Sequence, residues 1–450
     1  MRAKTLFRLL AAALSAAVCS GAWAQDCPVS TVAHPAAPPA ASDADGFFPA
    51  SYEASRDRFR DDCKRALKSP ADFCRPYEIT ADGDPDLTID LAYFTAQNPR
   101  LVVLQSGLHG AEGFAGAAIQ AMAFRRHLDA LLAAGFDVLM IHAANPFGFK
   151  HVRRVDGCNV DLNRNFPGVP DLYATKSPAY VEVRSLVERP GPVGSVVGAT
   201  LALDAETAAA ALRHGADFVA EATHRGQYEF PRGFEFGGKA PSQQVEFLKR
   251  ELAPLIASHA GDVTFLDLHT GLGAPDTLTV YSGAGWPDPR VQAMRGAVQE
   301  AADAWAADPR RGAADPGIRF QTPCDSSFTT SGDVIDFVPT LASEDRVTAV
   351  TLEWGTVGET DLAELETNAR MVLEQQAWFN GCERASTCAE VKADFSALFN
   401  PARAAFQQAV LGQADVFLTR LRGWPDGRFR VGGRPDPSKQ VCAKFQAQGR

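Results

Sequence analysis

Polar and apolar positions along this chain follow two rhythms, and together they predict an α/β fold. Asp86–Phe94 alternates like a half-buried strand, whereas Leu101–Gln105, Phe136–Ile141, Val263–Leu268 and Val347–Leu352 are continuous apolar runs, the pattern of strands covered on both faces. Between them Ile119, Met122, Leu128, Leu131 and Leu132 fall on one face and predict a helix over Ala117–Ala134, stopped by Gly135. Val245, Leu248, Leu252, Leu255 and Ile256 share a face in a helix that begins near Ser242. Asp204–His214 reads as an Ala-rich helix, residues 226–238 as a Gly-rich loop, and Asn145–Gly148 as a turn. The order of elements predicts a mixed, largely parallel central sheet flanked by helices. Three of its buried strands deliver a polar residue at a carboxyl end, where open α/β sheets place their ligand sites.

The two ends follow other patterns. Arg2, Lys4 and Arg8 precede and border the apolar run Leu9–Val18, and small residues at Ala22 and Ala24 complete a signal peptide over residues 1–24. Residues 25–75 form a lead-in: a Pro/Ala-rich flexible stretch, then a charged, helix-bearing segment from Phe47 to Cys74. Residues 76–382 hold the predicted strands and form the expected catalytic domain. Residues 383–450 read as a helical C-terminal extension, with helices over Cys388–Phe399 and Pro401–Arg422 before a Pro/Gly-rich end. After the leader no stretch approaches the length of a membrane span.

Composition narrows the partners. Loss of residues 1–24 removes three positive charges and moves the formal net charge from −10 to −13, which argues against nucleic acid or an anionic membrane as the main partner. Of nine cysteines eight remain, an even number that in an exported chain favours disulfides and a periplasmic or secreted location. Cys63 with Cys74 and Cys382 with Cys388 are close enough for local loops, but sequence leaves the pairing open. The absence of a CxxC pair disfavours a thiolate zinc site.

The candidate chemistry starts at His109 and Glu112, three residues apart just past an apolar strand, with Gly110 between them free to bend. Alone, such a pair is an ordinary turn. With His269 at a distant strand end it becomes two nitrogens and an oxygen donor with a fourth position open, the set of a catalytic zinc. Such a site holds one Zn2+ per chain and lowers the pKa of a bound water to about 7. Glu353, also at a strand end, is the candidate general base. His142 reads as a structural histidine. In the segment from Asn145 to Phe166, Asn163 and Arg164 can grip a carboxylate. Arg154, in preference to Arg153, can stabilise an oxyanion. Asp161 can orient a ligand imidazole through its far nitrogen.

HGAE (109–112), RRVDGCNVDLNRNF (153–166), DLHTG (267–271) and TLEWG (351–355), in this order, resemble the zinc carboxypeptidase family of the carboxypeptidase A type, in particular its bacterial subgroup of unknown function. The resemblance covers about Tyr77 to Asn380. It implies that His109, Glu112 and His269 bind zinc, that Arg154 polarises the scissile carbonyl, and that Asn163 and Arg164 hold the substrate carboxylate. It gives Glu353 the role of base. The implied activity is hydrolysis of an amide or peptide bond next to a free carboxylate, by zinc-bound hydroxide. The digestive members use a mobile Tyr that has no clear counterpart here; Tyr228 and Tyr281 are the candidates. Asp333 lies where the family shapes its specificity pocket and can select an amine-bearing group, or cap a helix. The family also includes a branch resembling aspartoacylase and succinylglutamate desuccinylase. The placement of Arg154 nine residues before Asn163 is nearer that compact arrangement, so an N-acyl amino acid is the alternative substrate. A non-catalytic binding protein is disfavoured, because no member of the ligand and base set is missing.

Overall fold

The computed structural model describes residues 27, 28, 30, 32–35, 46–283, 289–309, 315–325, 329–342 and 346–429; the expected signal peptide and residues 430–450 of the Pro/Gly-rich end lie outside these. Eight strands form one mixed sheet: β1 (Phe73–Glu78), β2 (Thr88–Phe94), β3 (Arg100–Ser106), β4 (Phe136–His142), β5 (Val263–Gly271), β6 (Leu278–Ser282), β7 (Ile318–Gln321) and β8 (Val347–Gly355). Their spatial order is β1-β2-β4-β3-β5-β8-β6-β7. The four central strands run parallel, and antiparallel pairings join β2 to β4 and β6 to β8. The predicted mixed α/β sheet is therefore observed, and its parallel centre comes from the continuous apolar runs.

Those runs are buried on two faces, as their lack of alternation required. Leu101, Val103, Leu139, Ile141, Val263 and Phe265 point into one layer with Val245, Leu248, Leu252 and Ile256 of the helix Gln243–Ser258. Val102, Leu104, Val138, Met140, Leu266 and Leu352 point into the other. The C-terminal helices divide between the layers: Phe395, Leu398 and Phe399 enter the first, Phe406, Val410, Phe417 and Leu421 the second.

Several local expectations change. The helix foreseen over Ala117–Ala134 starts at Gly113 and contains one π turn, Ala123–His127, whose wider winding keeps Leu128 and Leu131 in the same layer as Ile119 and Met122. The Asn145 turn is the first turn of a helix, Pro146–His151, with Asn145 Oδ1 accepting from Gly148 N. The last helix begins at Ala404, so Pro401 precedes it. β1 escaped the sequence reading because it is a half-exposed edge strand, where Pro76 is tolerated. Disulfides join Cys27 to Cys158, Cys63 to Cys74 and Cys382 to Cys388. Among the described residues, no helix is long and apolar enough to cross a membrane.

His142 is structural. It stacks on Phe59 at 4.8 Å, and its ring nitrogens lie 3.2 Å from Ser55 Oγ and 3.0 Å from Gln120 Oε1. Burial, followed by the charges of Arg58, Arg60 and Arg56, pushes it from 6.5 down to about 3. Between those values only the unfolded chain takes the proton, so acidification favours unfolding, by about 1.4 kcal/mol per pH unit from this group. Urea midpoints measured between pH 6.5 and 4 are therefore expected to fall, and to fall less steeply in His142→Asn. An unchanged slope in the variant would assign the acid sensitivity elsewhere.

Candidate metal centre

The carboxyl ends of β3, β5 and β8 lie side by side and bring three polar residues of distant sequence to one place. After β3 the chain turns at Gly107 (φ +64), and His109 opens a short 3-10 turn, Gly110–Glu112, that runs into the helix Gly113–Met122. Gly110 serves close packing rather than bending: a Cβ there would stand 2.0 Å from the Gly148 carbonyl carbon. The Gly110 and Ala111 amides donate to the Arg154 and Arg153 carbonyls at 3.1 and 2.8 Å, which fastens the His109 turn to the arginine segment. In the register of β5 against β8, His269 is paired with Glu353.

His109 Nδ1 lies 2.8 Å from Glu112 Oε1, and His269 Nδ1 lies 2.8 Å from Glu112 Oε2. The potential ligand atoms of the three buried residues all fall within 4.8 Å of one another. The far nitrogens face carboxylates, His269 Nε2 at 2.6 Å from Asp267 Oδ2 and His109 Nε2 at 3.3 Å from Asp161 Oδ1. With a carboxylate behind each ring, release of the Nδ1 protons now facing Glu112 would leave the Nε2–H tautomers, with both Nδ1 lone pairs aimed at the shared centre. Two imidazole nitrogens and one carboxylate oxygen fit zinc with an open fourth position. Burial opposes ionisation of Glu112, but the charges of His109 and His269 outweigh it and hold the carboxyl well below its usual range.

Asp267 was not singled out from sequence, where it is one polar position inside an apolar strand. It accepts from Gln105 Nε2 at 3.0 Å and presents its other oxygen to His269. Asp267→Asn is expected to weaken zinc binding by roughly 10- to 100-fold in a chelator competition, with little change in fold. Equal affinity in the two proteins would deny Asp267 that role.

Glu353 sits beside the cluster, buried, with Oε1 accepting from Leu272 N at 3.0 Å. Burial first and the Glu112 charge second push it up to about 8. On the other side Arg154 donates through Nε to Asp161 Oδ2 at 2.8 Å, and its Nη1 lies 3.2 Å from His109 Nδ1 and 3.9 Å from Glu112 Oε1. Arg153 turns away: it is fully buried against Glu374, Gln375 and the Trp378 ring.

Beyond Arg154 lies Glu235, a second residue missed because it stands in the Gly-rich loop. Its carboxylate is 3.4 Å from Arg154 Nη2 and 2.7 Å from Arg164 Nη2. Arg164 also meets Asp333 Oδ1 at 3.2 Å. Asn163 Oδ1 accepts from Val334 N at 3.0 Å. Asp333 is buried with its carboxylate on Arg164 and Thr330, and it makes no side-chain cap of the short helix that follows it. Tyr228 is 1% exposed, and its hydroxyl donates to the Arg164 carbonyl at 2.8 Å. It supports the Arg164 loop from within the wall, a correction to its expected contact with substrate. Tyr281 is half-buried on β6, and burial with the nearby Glu353 charge raises its phenol pKa.

The profile of a family described as "Protein of unknown function (DUF2817)" matches residues 48–413. No curated protein matches the chain. Among solved structures, bovine thrombin-activatable fibrinolysis inhibitor is similar at 12% identity, covering 80% of this chain and 97% of that one, with a TM-score of 0.42. The carboxypeptidase A of Helicoverpa armigera is similar at 14% identity, covering 77% of this chain and 73% of its own, with a TM-score of 0.42. A metallo-carboxypeptidase of Burkholderia cenocepacia is 13% identical over 80% of this chain and 70% of its own, with a TM-score of 0.35.

Proposed function

The chain belongs to the DUF2817 family of proteins of unknown function, and we propose that it is a zinc-dependent hydrolase of amide or peptide bonds, metallocarboxypeptidase-like, acting on substrates with a free carboxylate. The carrying observation is the convergence of His109, Glu112 and His269 with Glu353 paired to His269 on the neighbouring strand. Zinc held by those three would supply the Lewis acid that acidifies water and polarises a carbonyl.

The chain's own groups divide the rest of the work. Glu353 takes the proton from the attacking water and returns it to the leaving nitrogen. Arg154, fixed by Asp161 and Glu235, donates to the carbonyl oxygen as negative charge builds on it. Asn163 and Arg164 receive the carboxylate end of the substrate. The compact spacing of Arg154 and Asn163 keeps N-acyl amino acid deacylation as the second reading. The expected leader and the disulfides among the described residues support action outside the cytoplasm, in the periplasm or after secretion.

The deciding experiment is metal analysis of the purified protein, followed by a screen of peptides against N-acyl amino acids with products detected by mass. Expected are one zinc per chain and release of an amine-bearing product. A protein with no affinity for zinc would sink this reading.

A further inference from the structure

The arginine expected to grip the substrate carboxylate is already engaged. Its guanidinium has five N–H bonds to give. Nε and Nη2 donate to the His224 carbonyl at 3.0 and 2.8 Å, and Nη1 donates to the Asn163 carbonyl at 2.9 Å and to Asp333 Oδ1 at 3.2 Å. Glu235 Oε2 stands 2.7 Å from Nη2 as an ion pair, without accepting a hydrogen bond from it. The side chains of Arg164, Glu235 and Asp333 are only 5%, 3% and 9% exposed. Arg154 and Arg164 together face Asp161, Glu235 and Asp333, so the carboxylates outnumber the guanidinium groups before any substrate arrives.

A substrate carrying only a carboxylate would have to take Arg164 from Asp333 and leave that carboxylate buried without a cation, which is strongly unfavourable. A group carrying an ammonium beside its carboxylate has no such penalty. The Arg164–Asp333 pair then opens into two pairs, the substrate carboxylate on Arg164 and the substrate ammonium on Asp333. Asn163, its Oδ1 held by Val334 N, keeps its amide N–H groups for the same carboxylate.

We propose that Asp333 and Arg164 form a subsite for a zwitterionic leaving group, with Asp333 the residue that selects it. This rests on the amide hydrolase reading above. The 3.2 Å contact between the two side chains fixes the spacing: ammonium and carboxylate must be neighbours, as on the α-carbon of an amino acid, not opposite ends of a long side chain. The scissile amide is then made by the side-chain nitrogen of a diamino acid. Water adds its oxygen to the acyl carbon, the C–N bond breaks, and the nitrogen leaves with a proton as the free diamino acid.

The test uses zinc-loaded protein and a ligand series. Side-chain N-acetyl derivatives of 2,3-diaminopropionate, ornithine and lysine carry the α-zwitterion, and acetamido-carboxylates of matching length lack the α-amine. Nα-acetyl-lysine separates the two charges. Calorimetric titration of Glu353→Gln gives binding, and the wild type gives hydrolysis. The expected result is at least one zwitterionic ligand with a Kd about tenfold or more below that of its carboxylate-only match. Asp333→Asn should bring that ratio toward one and strengthen the carboxylate-only ligand. The subsite is overturned if carboxylate-only ligands bind Glu353→Gln with its Asp333 intact equally well at every length, or if no member binds. Preferential binding with no hydrolysis by the zinc-loaded wild type would retain the subsite and sink the hydrolase reading. Hydrolysis without preference would do the reverse.

Discussion

Glu353→Gln is expected to keep one zinc per chain and to lower turnover by roughly 100- to 10,000-fold, the usual span for loss of a positioned general base. The substitution is nearly isosteric and retains an oxygen that can accept from Leu272 N, so the loop beyond β5 keeps its anchor. None of the three residues proposed to hold the metal is altered, and His269 keeps both Asp267 and Glu112 as partners. What disappears is the carboxylate that can hold a proton between water and the leaving nitrogen. Burial and the Glu112 charge push Glu353 up to about 8, and a dication held by Glu112 would offset the second contribution and favour the ionised base. Zinc content by elemental analysis and rate by product formation decide the matter. A variant with full zinc that retains more than about a tenth of the wild-type rate removes Glu353 from the mechanism.

The parts of the site that sequence made legible share one physical origin. His269 and Glu353 end continuous apolar strands, and His109 follows one within three residues, so the rule that open sheets bind ligands at carboxyl ends was enough to gather them. The residues that escaped act across loops. Asp267 looked like an interruption of an apolar strand, although a buried carboxylate two residues from a ligand histidine could have been suspected. Glu235 has no periodic neighbour, and only the folding of residues 226–238 onto Arg154 and Arg164 gives it a purpose. Tyr228 was chosen as a tyrosine in a Gly-rich loop, and that choice had no information on which way the ring points. The fold shows the same division: strands with long buried runs were readable, whereas the edge strand β1 depends on pairing with β2. The π turn at Ala123–His127 depends on which layer the helix must face.

Glu235→Ala is expected to destabilise the protein by about 3–5 kcal/mol, the range for removing one partner of a buried ion pair. The carboxylate is shared by two arginines, Arg154 on the metal side and Arg164 on the far side, and the residue is 4% exposed. Without it Arg164 keeps Asp333 and Arg154 keeps Asp161, but the carboxylate that contacts both guanidinium groups is gone. Glu235 also holds a left-handed backbone (φ +51), a conformation costing roughly 1–3 kcal/mol in a residue other than glycine. The Gln227 amide donates to its carbonyl at 3.0 Å, and its side chain faces the arginines, so the surrounding contacts over-determine that conformation. Urea unfolding of Glu235→Ala and Glu235→Gln measures the loss. The Gln variant, which keeps the shape and one acceptor, should lie between Ala and wild type. If Ala unfolds within about 1 kcal/mol of wild type, the two arginines tolerate each other without Glu235 and its place between them is incidental. If stability falls as expected, Arg154 and Arg164 are held by one carboxylate, and changes at either of the two subsites proposed for them should be felt at the other.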